Sequence, residues 1–219
     1  MVVAGQVVVI MALADLEAAQ AAAVGAVAVA VILAVAVLVV IGNTQNMKNR
    51  NRLSRFFEHL VSNPWQVRRC FCPIGLTVIE QTIADSESRH TGEIRVVIEA
   101  GLDIYEVLFN KSPRARAIEL FSHLHIWDTA HNNGVLIYLC LADHDVEIVA
   151  DRGINQQVGY ARWAQICHDM EVQFRQGAFE GGVLQGIAEI GVELEQYFPE
   201  NLSAPKRQKN ELPNKPLII

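Results

Sequence analysis

Apolar and polar positions divide this chain into two regimes. Ala21 to Ile41 is an unbroken run without a charged or strongly polar side chain. As a helix it would be about 30 Å long, the hydrocarbon thickness of a bilayer. A soluble helix needs a polar face, and this run has none, so it predicts a single transmembrane helix. Beyond residue 46 the pattern turns periodic. Leu53 to Val61 reads as a short amphipathic helix stopped at Asn63-Pro64, and 65–73 as a connector. Ile74, Val78, Ile79 and Ile83 recur at helical spacing over 74–90. Glu93 to Ala100 carries the β-branched run of a central strand, and Gly134 to Leu141 that of a second. Between them Ser112-Pro113 opens a helix with Ile118, Leu120, Phe121 and Leu124 inward. The tight turn 142–145 leads to a third strand, 146–150, closed by Asp151-Arg152-Gly153. Two amphipathic helices follow, 160–176 and 179–198.

A helix between the first two strands implies a parallel crossover, and the third strand returns as a hairpin. The expected fold is α/β, a small mixed β-sheet sandwiched between helices, with one N-terminal transmembrane helix. The expected organisation is a hydrophobic leader at 1–46, a basic juxtamembrane helix and connector at 47–73, an α/β domain at 74–199 and a disordered tail at 200–219.

Charge sets orientation. Asp15 and Glu17 precede the apolar run, whereas Lys48, Arg50, Arg52, Arg55, Arg68 and Arg69 follow it. The positive-inside rule then makes this a single-pass protein of the inner or cell membrane, N-terminus outside and domain in the cytoplasm. A second reading applies to 1–46. Its Val and Ala repetition is what a glycine-rich coding stretch yields when read one base out of frame. Translation would then begin at Met47 and the protein would be cytoplasmic. The net charge is −6, which excludes a general nucleic-acid binder, since phosphate neutralisation needs a clustered basic face. Cys70 and Cys72 form a C-x-C pair rather than a zinc or redox spacing, and Cys140 and Cys167 fall in apolar segments. All four are expected as reduced thiols.

One succession of motifs resembles a known family. It runs from Thr91-Gly92-Glu93-Ile94 through Asn132-Asn133-Gly134-Val135-Leu136-Ile137 to Asp151-Arg152-Gly153-Ile154. Trp163, Phe174, Phe179-Glu180-Gly181-Gly182 and Tyr197-Phe198-Pro199 complete it. Over roughly 74–199 the chain resembles the TPM domain, a phosphatase-type domain of thylakoid-lumen and bacterial membrane-associated proteins. The resemblance implies an α/β sandwich, divalent-cation binding by loop carboxylates, acid-phosphatase activity in some members, and a role in membrane-associated assembly or repair. It also suggests a membrane-associated protein partner. The family's common Gly-aromatic-Gly stretch is here Asp151-Arg152-Gly153, and its glycine-rich tail is missing.

The predicted topology makes two rims. The first carries Glu99, Asp103, Asp143, His144 and Asp145. The second carries Glu93, His125, Asp128, His131, Asn132, Asn133, Asp151 and Arg152. Carboxylates with amide oxygens suit a hard cation such as Ca²⁺ or Mg²⁺, so Asp128, Asp151 and Asn132 are the candidate metal ligands. Arg152 and His131 are the candidate phosphate-binding residues. A nucleotide cofactor is not expected, because the chain has no phosphate-cradling P-loop. Two functions follow: a membrane-tethered interaction or assembly module that binds a divalent cation, and a metal-assisted phosphomonoesterase of the acid-phosphatase type.

Overall fold

The computed structural model describes residues 64–200 and 210–219, together with Arg55, His59 and Leu60. The expected transmembrane segment 21–41 lies outside the described residues. Among the described residues no helix is long and apolar enough to cross a membrane.

Helices α1 (Pro64–Cys70) and α2 (Pro73–Glu87) precede strand β1 (Glu93–Glu99). Helices α3 (Ile104–Leu108) and α4 (Pro113–His123) lead to strands β2 (Gly134–Cys140) and β3 (Asp145–Ala150). Helices α5 (Arg152–Val158), α6 (Tyr160–Arg175) and α7 (Phe179–Tyr197) follow, and strand β4 (Leu217–Ile218) ends the chain. The sheet order is β3-β2-β1-β4. β1 runs parallel to β2, with Glu93 opposite Gly134 and Glu99 opposite Cys140, and β3 returns antiparallel. The expected mixed sheet and its parallel crossover are therefore present.

Strand alternation sends side chains to two cores. Ile94, Val96 and Ile98 join Val135, Ile137 and Leu139 beneath α2, α6 and α7. Val97, Leu136, Tyr138 and Val149 pack instead with Ala117, Leu120 and Phe121 of α4. Helices thus cover both faces of the sheet.

Four readings need correction. The segment expected as a connector is helical over Pro64–Cys70, because Val67 and Phe71 give it an apolar edge that reaches the first core. Asp151-Arg152-Gly153 does not close a strand but opens α5, with Asp151 as N-cap. Ile118, expected inward, is 49% exposed, and Ile74 of the helical repeat is 77% exposed, while Ile79, Ile83, Leu120 and Phe121 carry the packing.

The fourth correction concerns the C-terminus. Residues 210–219, expected within a disordered tail, lie against β1. Leu217 and Ile218 pair with Val97 and Ile98, and Leu212 is buried in the second core. The cause is on β1, where Glu93 and Arg95 are buried charged residues in alternate positions. The Glu93 carboxylate accepts the backbone amides of Glu211 and Leu212 at 3.1 and 3.2 Å. Arg95 donates through Nη1 to the carbonyls of Pro213 and Lys215 at 2.5 and 2.6 Å. Buried charges need such partners, and an extended segment supplies them from its backbone.

Candidate functional site

The second rim forms where β1 and β2 begin and β3 ends. Parallel pairing sets Glu93 beside Gly134, and the Asp151 amide donates to the Gly134 carbonyl at 2.8 Å. The loop 124–133 is pinned by fully buried Ile126 and by Thr129, whose hydroxyl accepts the Asn133 amide at 3.1 Å. Two glycines let backbones meet here. A Cβ on Gly134 would fall 2.1 Å from the Ile126 carbonyl oxygen, and one on Gly153 would fall 2.4 Å from that of Asn132. Asn132 itself takes φ 54°, a left-handed conformation that asparagine tolerates.

This scaffold places the predicted residues unequally. Asp128, His131, Asn132 and Arg152 are exposed on the rim. The Asn132 backbone carbonyl accepts the Ile154 amide at 3.3 Å. Asp151 is half-buried; its Oδ1 accepts the Arg152 amide at 2.6 Å, and its Oδ2 is buried with no donor. The other amide residue of the turn, Asn133, is 1% exposed. Its Nδ2 donates to the Thr91 hydroxyl at 3.1 Å, and its Oδ1 is buried with no donor. An acceptor buried without a partner costs about 1–3 kcal/mol. A carboxylate and an amide oxygen are both of the ligand type that Ca²⁺ or Mg²⁺ takes. The buried amide oxygen of this turn belongs to Asn133, whereas Asn132, the expected ligand, is exposed.

The first rim has different chemistry. Arg55 grips Asp143 with both arms of its guanidinium, Nε to Oδ1 at 2.6 Å and Nη2 to Oδ2 at 2.9 Å. His59 Nε2 stands 3.1 Å from the same Oδ1, and Cys140 Sγ is 3.7 Å from Oδ2. His59, Cys140 and Asp143 form the one group of His, Cys, Asp or Glu ligand atoms close enough to surround a metal ion among the described residues. Their contacts with Arg55 form a lock around Asp143. His59 Nδ1 accepts the Leu102 amide at 2.9 Å, which puts the ring proton on Nε2. Burial pushes the Cys140 thiol up to about 12. Burial alone would raise Asp143, but the hydrogen bonds from His59 and Arg55 outweigh it and hold its carboxyl well below the usual range. Arg55, read from sequence only as a topology signal, is thus a structural cation. Nearby, Tyr138 donates to Glu99 at 2.6 Å, and Arg116 grips the same carboxylate at 2.9 and 3.2 Å.

Asp145 lies beside this lock and forms no salt bridge among the described residues. Burial first, then Glu147 and Glu171, push its carboxyl up to about 6 from 3.8. A raised acid favours the folded state fully below pH 3.8 and loses that contribution as pH rises through about 6. Asp145→Asn should therefore stabilise the protein at pH 7 by about 1 kcal/mol, the linkage being discounted for solvent around the group. The gain should vanish by about pH 4. Thermal melts at both pH values check it; an equal gain at both would refute the assignment.

The comparisons with known proteins agree with this architecture. The family model for the TPM domain matches residues 75–193. The BA42 protein from the psychrophilic bacterium Bizionia argentinensis, solved by NMR, is 32% identical, with a TM-score of 0.58 over 68% of this chain and 94% of its own. No curated protein matches. Motif order, sheet topology and both matches lead to one conclusion, that the chain belongs to the TPM-domain family.

Proposed function

We propose that this TPM domain binds a divalent cation at its second rim and acts as a membrane-tethered interaction or assembly module. The observation that carries the cation reading is the pair of buried, donorless oxygens, Asp151 Oδ2 and Asn133 Oδ1, at the start of β2 and the end of β3. Ca²⁺ or Mg²⁺ held by either oxygen would satisfy it. Exposed Asp128 stands on the adjoining loop and would add charge to the same site. The module reading draws on the apolar run 21–41 as the tether. It also draws on α3, where Tyr105, Leu108 and the adjoining Phe109 are 69%, 51% and 85% exposed. Such side chains suit contact with a membrane-associated partner.

Calorimetric titration of the full chain in detergent with Ca²⁺ and with Mg²⁺ tests the cation site. Asp151→Asn should weaken binding at least tenfold, since it removes the carboxylate of this pair. Unchanged affinity in that variant would place any cation elsewhere.

The phosphomonoesterase reading would use the same rim. It is favoured by Arg152, which follows Asp151 directly and is exposed there with His131. A cation and a guanidinium together would bind a phosphate and steady its charge. Hydrolysis of an aryl phosphate that needs both the cation and Arg152 would move the protein into the enzymes. Equal background in wild type and Arg152→Ala would leave the binding module.

A further inference from the structure

We propose that the C-terminal segment 210–219 is a strap that sets the cation affinity of the second rim, with Glu211 as its positioning residue. This rests on the cation reading above. The family match ends at residue 193, so the strap lies outside the part of the chain that defines the domain.

Three contacts tie strap and rim together. The Glu211 carboxylate accepts the amide of Ala130 at 3.0 Å, in the loop between Asp128 and His131. The Glu93 carboxylate holds the amides of Glu211 and Leu212, so Glu211 cannot drift from that loop while the strap is docked. Glu93 also donates its own amide to the carbonyl of Asn133 at 3.4 Å, the residue that carries one of the two donorless oxygens. The strap therefore bears on the site from two sides, through the 124–133 loop and through the start of β1. Leu212, buried in the second core, anchors it between them.

Docking the strap orders the loop that carries the exposed half of the site. A cation that needs the loop in this position binds more tightly when the strap is down. Linkage is reciprocal: the cation must then hold the strap down by the same factor. Glu211 touches the loop backbone, so its action on the ion is indirect.

Hydrogen exchange on the unaltered full chain in detergent, with and without saturating Ca²⁺, tests this directly. The amides of Glu211, Leu212 and Ala130 should exchange at least about fivefold more slowly with Ca²⁺. In parallel, Glu211→Ala, which removes the acceptor of the Ala130 amide, should lose about fivefold in Ca²⁺ affinity while its melting temperature stays near that of wild type. If Ca²⁺ binds and those three amides are unaffected, the strap is only a structural strand and the inference falls while the cation site stands. Full affinity in Glu211→Ala would reject it likewise. If the unaltered chain binds no Ca²⁺, both readings fall together.

Discussion

Asp143→Ala is expected to cost about 3–5 kcal/mol and lower the melting temperature by about 10 °C. The reason is the company Asp143 keeps. Its side chain is 11% exposed, that of Arg55 21% and that of His59 1%. Removing the carboxylate leaves a guanidinium and an imidazole N–H facing a space that water does not freely reach. Among the described residues Arg55 then keeps one hydrogen bond, to the Lys111 carbonyl at 2.8 Å. The deficit is that of an orphaned buried charge, larger than the net worth of the pair. Its pH dependence has a definite sign. A carboxyl held below its ordinary 3.8 contributes stability above that pH and loses it as pH falls toward the lowered value. The gap between wild type and variant should therefore be constant from pH 8 to about 5 and narrow only below about 4. Thermal melts across that range check it. A change under 2 °C at pH 7 would show that Arg55 and His59 are held by something other than Asp143.

Glu93→Gln is expected to cost about 3 kcal/mol. Glu93 is fully buried, and its two oxygens each accept a strap amide. Charge-assisted bonds of this kind contribute about 1.5–3 kcal/mol each. Glutamine keeps one acceptor and turns an NH₂ group toward the second amide, donor against donor. Release of the strap would limit the loss, because water can then reach both groups. The variant should therefore show two signatures together: a lower melting temperature and fast exchange at Glu211 and Leu212. Lowered stability with the strap amides still protected would mean that Arg95 and Leu212 suffice to hold the segment.

The long elements were legible because they repeat. The β-branched runs of β1 and β2 and the spacing of Trp163, Ile166, Met170 and Phe174 on α6 carry enough periods to identify themselves. Helices α3 and α5, of 5 and 7 residues, are too short to show a helical period. Each nevertheless had a readable start. Asp103 and Glu106 form a capping box, and Asp151 caps α5. The strap was illegible for a different reason. Its prolines and polar residues look like disorder, and what orders it stands 118 positions earlier in the chain. The available signal was on β1, where Glu93, Arg95 and Glu99 interrupt an otherwise β-branched run on one face. Charges so placed must meet a polar partner.

The rims show the same limit. Both Asn132 and Asn133 belong to a turn by composition, yet only tertiary contacts decide which of them turns its oxygen inward. Asn132 takes the left-handed position, and Asn133 is drawn under Thr91 and Thr129. Asp143 resembles any solvated hairpin residue, because Arg55 lies 88 positions away in sequence.

The most direct test of the central proposal is amide NMR of the full chain in detergent during titration with Ca²⁺ and then Mg²⁺. The cation reading predicts saturable shifts concentrated at 128–133 and 151–154, with the strap amides moving in step. Shifts concentrated instead at Cys140 to Asp145, or none at either rim, would contradict it.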